Sequence, residues 1–502
     1  MRLSQNLLAA FANAAWTAII TLAVVPVYLK YLGIGAYGLI GFFATMQALF
    51  QILDAGFAPT ITREVARRAA VGKLSNAGSL LHTLAIVYWV MAGLIAIVVI
   101  TCAPAIAQYW LHSELLTKDT LERAVMLVGL VICFRFPIAL YKGALMGAER
   151  FAVVSAINMA MLTVGNLGAV AVLDLVSPTI DGFFVWQAGV GAAHTLIIRW
   201  AAWRALPRPE TLQFNFVEIR KIWRFSAGMS GVAISALLLT QLDKVLLSTV
   251  LSVEEFGHYA LAAVVASGLY VLLTPVFNVL FPRLSFFVAG GDSTNLINLY
   301  RSGTRLFLAV LFPIATFAAV FSNDLVHAWT GNAELASNVA PIVSLLVIGT
   351  ALNGVMHFPY ALQLANGMTR LPLTINGILM IPLVPMTIIL AMRYGAAGGA
   401  ASWLLLNAFY LLVGTWLTHR YLLKGLAVKW LLHDVAIPLA LAVVIVGGGG
   451  FAALAAWQEH HYINLLFGSA LVLLASAAIL AARPPHIAVL RISVARGPTV
   501  GP

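Results

Sequence analysis

Charge is scarce in this chain and cysteine nearly absent. Of 502 residues, 29 are Lys or Arg and 18 are Asp or Glu, so charged side chains make up 9%. An ordinary soluble domain carries roughly 25% charged and about 45–50% apolar residues. Here 62% of the chain is hydrophobic and the mean hydropathy is +0.96. So few charges cannot cover a water-facing surface of this size, which excludes a soluble fold. Disorder and coiled coil need polar or charged composition, and collagen needs periodic Gly and Pro, so they are excluded too. Cys102 and Cys133, the only two cysteines, cannot build a disulfide framework and lack metal-ligand spacing. They fall at depths roughly 15 Å apart along their expected helices, too far to bridge. Neither a metal nor another cofactor is expected. A cleavable signal is also missing from the reading, because only Arg2 precedes a long apolar stretch with no short core and small-residue cleavage site. What remains is an all-α integral membrane protein.

Long apolar runs fill the chain. A span needs about 20 apolar residues. Polar breaks divide the sequence into about fourteen: 7–29, 37–60, 79–102, 123–146, 152–174, 181–203, 225–250, 257–282, 303–325, 340–364, 370–392, 397–419, 431–455 and 463–482. Internal prolines such as Pro26, Pro313, Pro382 and Pro385 mark kinks rather than ends in such helices. The loops are short, which leaves no room for a soluble domain. With both termini placed on one side, 23 of the 29 basic residues fall on that side and four (Lys30, Lys118, Arg123 and Arg393) on the other. The excess of Lys and Arg marks the cytoplasmic side, so both termini are expected there. The net charge of +11 is therefore topology, and no nucleic-acid partner is implied.

The sequence repeats itself at an offset near 219. Leu32-Gly33-Ile34-Gly35-Ala36-Tyr37-Gly38 aligns with Leu251-Ser252-Val253-Glu254-Glu255-Phe256-Gly257. Arg63 then aligns with Arg283, and Gly147-Ala148-Glu149-Arg150 with Gly367-Met368-Thr369-Arg370. An even number of spans per repeat gives both halves the same orientation, so the expectation is two six-helix lobes related by a pseudo-twofold along the membrane normal. The expected organisation is an N-terminal lobe over 1–210, a second lobe over 211–425, two further helices over 426–482 and a basic cytoplasmic tail over 483–502.

Two motifs carry a family resemblance. Pro26 to Gly38, reading P-V-Y-L-K-Y-L-G-I-G-A-Y-G, and Leu53 to Arg67, reading L-D-A-G-F-A-P-T-I-T-R-E-V-A-R, resemble the opening of the Wzx-type polysaccharide (O-antigen repeat unit) flippases. These belong to the MOP exporter superfamily. Asp243-Lys244 followed by Phe256-Gly257-His258-Tyr259-Ala260 is similar to that family's seventh-to-eighth helix pattern. The resemblance implies a two-lobed carrier in the bacterial inner membrane. Its substrate would be an undecaprenyl-diphosphate-linked oligosaccharide, moved from the cytoplasmic to the periplasmic leaflet. It further implies H+ or Na+ as coupling ion, membrane lipids as surroundings, and the polymerase and chain-length proteins of the pathway as partners.

A charge inside a span costs at least ~2.5–3.5 kcal/mol and marks a functional candidate. The candidates for binding diphosphate or lining a cavity are Arg63, Arg283, Arg135, Lys142, Lys244 and Arg370; the candidate carboxylates for ion coupling are Asp54 and Asp243. Arg63 and Arg283 match in the repeat, and a guanidinium forks onto phosphate oxygens. Their alternative role is anchoring at the membrane surface. Arg135, flanked by Phe134 and Phe136, either lines a cavity or pairs with an acid on another helix. Lys142 lines the cavity or snorkels to the surface. Asp54 needs a structural partner, a proton or a cation. Asp243 and Lys244 point ~100° apart on their helix, so one can face a cavity while the other pairs between helices. Sugar contacts would come from scattered polar residues such as Asn13, Gln47, Asn158, Asn278 and Gln363.

Several features read as structural. Gly447 to Gly450 allow close helix contact, His460-His461 form a wet outer loop, and Trp110, Trp203, Trp223, Trp416 and Trp430 form interface belts. The competing functions are a lipid II flippase or multidrug exporter of the same superfamily and, from another class, a membrane polymerase or ligase. No catalytic residues are assigned, because a polymerase or ligase needs a sizeable outer loop and these loops are short.

Overall fold

The computed structural model describes residues 2–54, 56–70, 75–207, 213–368, 370–457 and 460–482. Bilayer hydrocarbon offers no partner to N–H and C=O groups, so a spanning chain must satisfy them within each segment, as a helix does. The described residues comply, and no strand forms among them; one isolated bridge joins His112 and Ser252. The first helices are α1 (Arg2–Phe50), α2 (Phe57–Ala70), α3 (Ser75–Ala105), α4 (Lys118–Arg135), α5 (Ile138–Gly147) and α6 (Phe151–Leu175). There follow α7 (Ile180–Ala205), α8 (Phe216–Val250), α9 (Val253–Ser267), α10 (Tyr270–Gly290), α11 (Ser293–Val320) and α12 (Ser322–Thr330). The last are α13 (Ala333–Val355), α14 (His357–Ala365), α15 (Arg370–Phe409), α16 (Thr415–Leu422), α17 (Ala427–Ala456) and α18 (His461–Ala481).

The protein is an all-α, multi-pass membrane protein. Ten stretches among the described residues are long and apolar enough to cross a membrane. Two are about double length, Ala15–Asp54 at 40 residues and Arg370–Leu422 at 53, against a core of about 20 residues. Each contains one glycine with non-helical backbone, Gly33 (φ 74°, ψ 175°) and Gly395 (φ 57°, ψ −139°). Positive φ of this kind suits glycine alone. These glycines fall where the sequence places its breaks near 30–36 and 393–396, so each break is a single residue rather than a loop. α7 and α8 overlie the expected spans 181–203 and 225–250 but are not among the ten.

Besides 303–325, which breaks at Phe321 near its end, four expected spans are interrupted. The run 37–60 is broken by the 3-10 turn Gln51–Asp54 and by Gly56 at φ 67°. The run 123–146 breaks at Phe136-Pro137, 257–282 between Ser267 and Tyr270, and 340–364 between Val355 and His357. These are the second and fourth spans of each expected half, so the interruptions repeat as well.

The repeat's register is sharpest after α5 and α14. The N–H groups of Ala148, Glu149 and Arg150 donate to the carbonyls of Ala144, Met146 and Leu145; those of Asn366, Gly367 and Met368 donate to Leu362, Leu364 and Gln363. Both turns place a residue at positive φ, Glu149 (58°) and Gly367 (69°). The equivalence therefore runs at an offset of 218, pairing Glu149 with Gly367 rather than Gly147.

The chain forms two compact units, Met1–Gly257 and His258–Pro502. In the first, Tyr88, Tyr141 and Phe184 are fully buried; in the second, Tyr300, Phe312, Phe358 and Trp430 are. α8 packs within the first unit, through the ion pair of Arg68 with Glu218 and a Trp110 Nε1 hydrogen bond to Ser248 Oγ (3.1 Å). α3 exposes Val90, Leu94, Ile97 and Val98, an apolar surface suited to lipid rather than water.

Gly449 and Gly450 do allow close contact: a Cβ on either would lie 2.8 Å from Leu471 of α18 or Val320 of α11. Two structural readings need correction. Trp430 is no belt residue; it is fully buried. His461 is not a bare loop residue, because its Nδ1 meets Asp324 Oδ1 at 2.5 Å and its ring packs 4.3 Å from that of His327.

Candidate functional site: an arginine held by neutral groups

Arg135 ends α4, where Pro137 removes a backbone donor and the helix breaks. Its guanidinium turns toward α1 and α7. Nη1 donates to Gln47 Oε1 at 3.3 Å, Nη2 to Gln187 Oε1 at 2.5 Å, and the ring of Phe43 lies 5.5 Å away. Gln187 is itself oriented, since its Nε2 donates to the Gly165 carbonyl (3.3 Å) and leaves only its oxygen for the arginine. Gly191 makes room, because a Cβ there would lie 3.2 Å from Arg135 Cγ. Thr195 donates to the Phe134 carbonyl. Gln187, Gly191 and Thr195 recur every four residues, so one stripe of α7 builds this wall. No carboxylate pairs with Arg135 among the described residues.

Hydrogen bonds to a charged group are worth about 1.5–3 kcal/mol, and a cation over an aromatic face about 0.5–2 kcal/mol. Together they offset the cost of the buried cation without cancelling its charge. His194, one turn past Gly191, has its Nε2 buried without a hydrogen-bond partner, within electrostatic reach of Arg135 and Lys142. Lys142 is half-buried on α5 and has no hydrogen bond or ion pair among the described residues.

α5 also positions Arg63. Its Gly143 and Gly147 lie so close to α2 that an added Cβ would stand 2.6 Å from the Ala58 carbonyl and 2.5 Å from that of Thr62, a small-xxx-small contact. Thr62 Oγ1 donates to the Gly143 carbonyl at 3.0 Å. Arg63 and Lys142 each neighbour one of these residues, so both sit at the α2–α5 crossing; Arg63 is exposed. α2 is tied to α8 by Arg68, which bridges Glu64 on its own helix (3.8 Å) and Glu218.

Asp54 has a structural partner. It accepts from the Ala58 N–H (3.3 Å) and from the Tyr88 hydroxyl, and so caps α2 and ties it to α3. Asp243 is buried in α8. Lys244 is half-buried, its ammonium folded back onto the Thr240 carbonyl (3.0 Å) and Gln241 Oε1 (3.4 Å). In the second unit Arg283 is exposed on α10, and Arg370 is exposed at the first position of α15. Among the described residues no shared hydrogen-bond or ion-pair partner joins these two. Of the polar residues named for sugar contacts, Gln47 joins Arg135, whereas Gln363 is buried against Thr418 (2.6 Å).

The Y-G and F-G motifs meet within the first unit. A Cβ on Gly38 would fall 2.0 Å from the Val253 carbonyl, and one on Gly257 would fall 2.6 Å from the Ile34 carbonyl. Gly38 is equivalent to Gly257, and Ile34 to Val253, at the offset of 219. The contact is reciprocal, as a twofold relation requires: residue i meets j′ and residue j meets i′.

Sequence reasoning missed Gln187, His194 and the partners of Arg68. Neutral and surface-type residues carry no signal until packing brings them to a charge.

The chain matches the polysaccharide biosynthesis protein family over residues 30–338. No curated protein matches it. Among solved structures, it is similar to the lipid II flippase MurJ in an inward closed conformation (15% identity, TM-score 0.66), over 94% of this chain and 98% of that one. It is also similar to an inward-facing multidrug resistance MATE family transporter of the MOP superfamily, at 12% identity, TM-score 0.66, and 80% and 95% coverage. A third is the Vibrio cholerae MATE transporter VcmN in the bent form, at 16% identity, TM-score 0.54, and 84% and 97% coverage. These likenesses establish the fold, and the match over more than half of the sequence establishes the family: the chain belongs to the polysaccharide biosynthesis proteins and has the fold of MOP-superfamily transporters.

Proposed function

We propose that the protein is a carrier, not an enzyme. It moves an undecaprenyl-diphosphate-linked oligosaccharide repeat unit from the cytoplasmic to the periplasmic leaflet of the inner membrane. The observation that carries this reading is Arg135, a guanidinium at membrane depth held by Gln47, Gln187 and Phe43. A cation with no counter-charge among the described residues is prepared for an anion that arrives and leaves, and a diphosphate is such an anion. Lys142 supplies a further cation on α5, and Arg63 lies at the α2–α5 crossing beside it. We assign the second half's Arg283, Arg370 and Lys244 to the same transport path.

The carrier works by alternating access, with both termini cytoplasmic. The reciprocal contact at Gly38 and Gly257 is the close helix crossing that separates when the path opens on that side. Coupling uses H+ or Na+, with Asp243 as the candidate carboxylate, since Asp54 serves as a helix cap. Lipid II flipping is the second reading, favoured by the similarity to MurJ over nearly its whole length; lipid II carries a diphosphate too.

The test is deletion followed by lipid analysis and complementation. Loss of the protein should leave undecaprenyl-linked repeat units built but held in the inner leaflet, with surface polysaccharide restored by the wild type and not by Arg135→Ala at equal expression. Accumulation of lipid II with normal surface polysaccharide would favour the second reading. Restoration by Arg135→Ala would refute the role of the arginine.

A further inference from the structure

The beginnings of α11 and α17 meet around one carboxylate in the second unit. Asp434 is fully buried and accepts from Arg301 Nε at 2.6 Å and Nη2 at 3.1 Å. Arg305 Nε stands 3.2 Å from Oδ1, the oxygen that also accepts from Arg301 Nη2. Two guanidinium groups share one carboxylate, so the cluster keeps a positive charge. Arg305 is the less engaged of the two: its Nε makes no aligned hydrogen bond, and its side chain is 23% exposed. Near the start of α11, Tyr300 packs on His419 with ring centroids 5.7 Å apart; the Tyr300 hydroxyl and His419 Nε2 are buried without partners. Trp430 stacks on Tyr300 and donates to Thr304 (3.1 Å). A π-helical turn, Trp430–Ala436, places Trp430 and Asp434 against α11; such turns concentrate at functional sites.

Charge and apolar surface are juxtaposed at this seam. Asp434 is the only acidic residue on α11, α16 and α17, against Arg301, Arg305, Arg420 and Lys429. Leu306, next to Arg305, is 62% exposed, and Leu432 is 54% exposed. A basic seam between helices, bordered by exposed leucines, fits a molecule with an anionic head and apolar tails. We propose that this seam binds the phosphate headgroup of an anionic membrane phospholipid. The outward N–H groups of Arg305 take its phosphate oxygens, and Leu306 and Leu432 lie along its acyl chains. The site is separate from the transport reading and does not depend on it.

The test uses the purified full-length protein in detergent, with native mass spectrometry of adducts formed with phosphatidylglycerol, phosphatidylcholine or inorganic phosphate. One uncompensated charge is worth ~1 kcal/mol toward an anionic lipid, or about fivefold in affinity. Phosphatidylglycerol should exceed phosphatidylcholine by about that factor. Arg305→Gln should abolish the preference, whereas Arg305→Lys and the distant Arg123→Gln should keep it. If Arg305→Gln fails to give a monodisperse protein, thermal stabilisation of the wild type by phosphatidylglycerol over phosphatidylcholine serves instead, and equal stabilisation would overturn the proposal. So would a preference that survives in Arg305→Gln. Saturation by inorganic phosphate alone, with no gain from the lipid, would mean a free-anion site and overturn the lipid assignment.

Discussion

Two half-buried arginine sites, one in each unit, solve the same electrostatic problem differently. Arg135 is held by two glutamine oxygens and a phenylalanine ring. Arg301 is held by both oxygens of Asp434, while the neighbouring Arg305 is engaged less fully. A carboxylate partner makes a cation part of the architecture, fixing α17 to α11. Neutral acceptors fix the side chain equally well but leave its charge available. The difference separates a structural arginine from one that can serve a transported anion, and burial alone would not have told them apart.

The comparison breaks most visibly if the carboxylate is removed. Asp434→Ala leaves two guanidinium groups facing each other in a buried cluster, and loss of one partner from such a pair costs about 3–5 kcal/mol. A large drop in thermal stability in detergent is expected; an unchanged melting temperature would mean the cluster is solvated. Next comes the reciprocal glycine contact. Gly38→Ala forces its Cβ against the Val253 carbonyl, and overpacking of this kind costs about 1–3 kcal/mol. Because Gly257 has more room (2.6 Å against 2.0 Å), Gly257→Ala should be milder, and the order is readable from paired melting curves.

Arg135→Gln should affect stability less. It removes a desolvated cation and strands one buried oxygen, a net loss of about 1–2 kcal/mol, while surface polysaccharide is lost. A stability loss as large as that of Asp434→Ala would place Arg135 in the architectural class. The smallest effect is expected at Asp292, which caps α11 by accepting from the Asn295 N–H (3.0 Å). That bond holds its carboxyl below the usual range. A lowered folded-state pKa stabilises above the unfolded value of about 3.9 and is lost as pH falls below it. Asp292→Asn should therefore lower the melting temperature slightly at neutral pH, where this stabilisation is fully present, and flatten the shallow decline on the acid side.

The membrane class and most helix positions were legible because apolar runs of about 20 residues have no other explanation. The breaks at Gly33 and Gly395 were marked by small residues and flanking Lys30 and Arg393. Those inside 37–60, 257–282 and 340–364 were not, because a positive φ or a single turn leaves apolar composition unchanged. The repeat was visible in Y-G and F-G, but its register after α5 needed hydrogen bonds, since Glu149 and Gly367 share a conformation and not a residue type. Arg135 stood out as a charge in an apolar run. Whether an acid or an amide met it depended on Gln187, fifty-two residues away, and no local pattern carries that information. Asp434 was passed over for the same reason, lying among basic residues near a helix start.

Affinity of the purified protein for undecaprenyl diphosphate tests the central claim most directly, with Arg135→Gln and Arg301→Gln measured beside the wild type. A lost charge-assisted contact of about 1.5–3 kcal/mol predicts binding weaker by about tenfold or more in Arg135→Gln, with Arg301→Gln unchanged once folded. Equal affinity of Arg135→Gln and wild type would contradict the account.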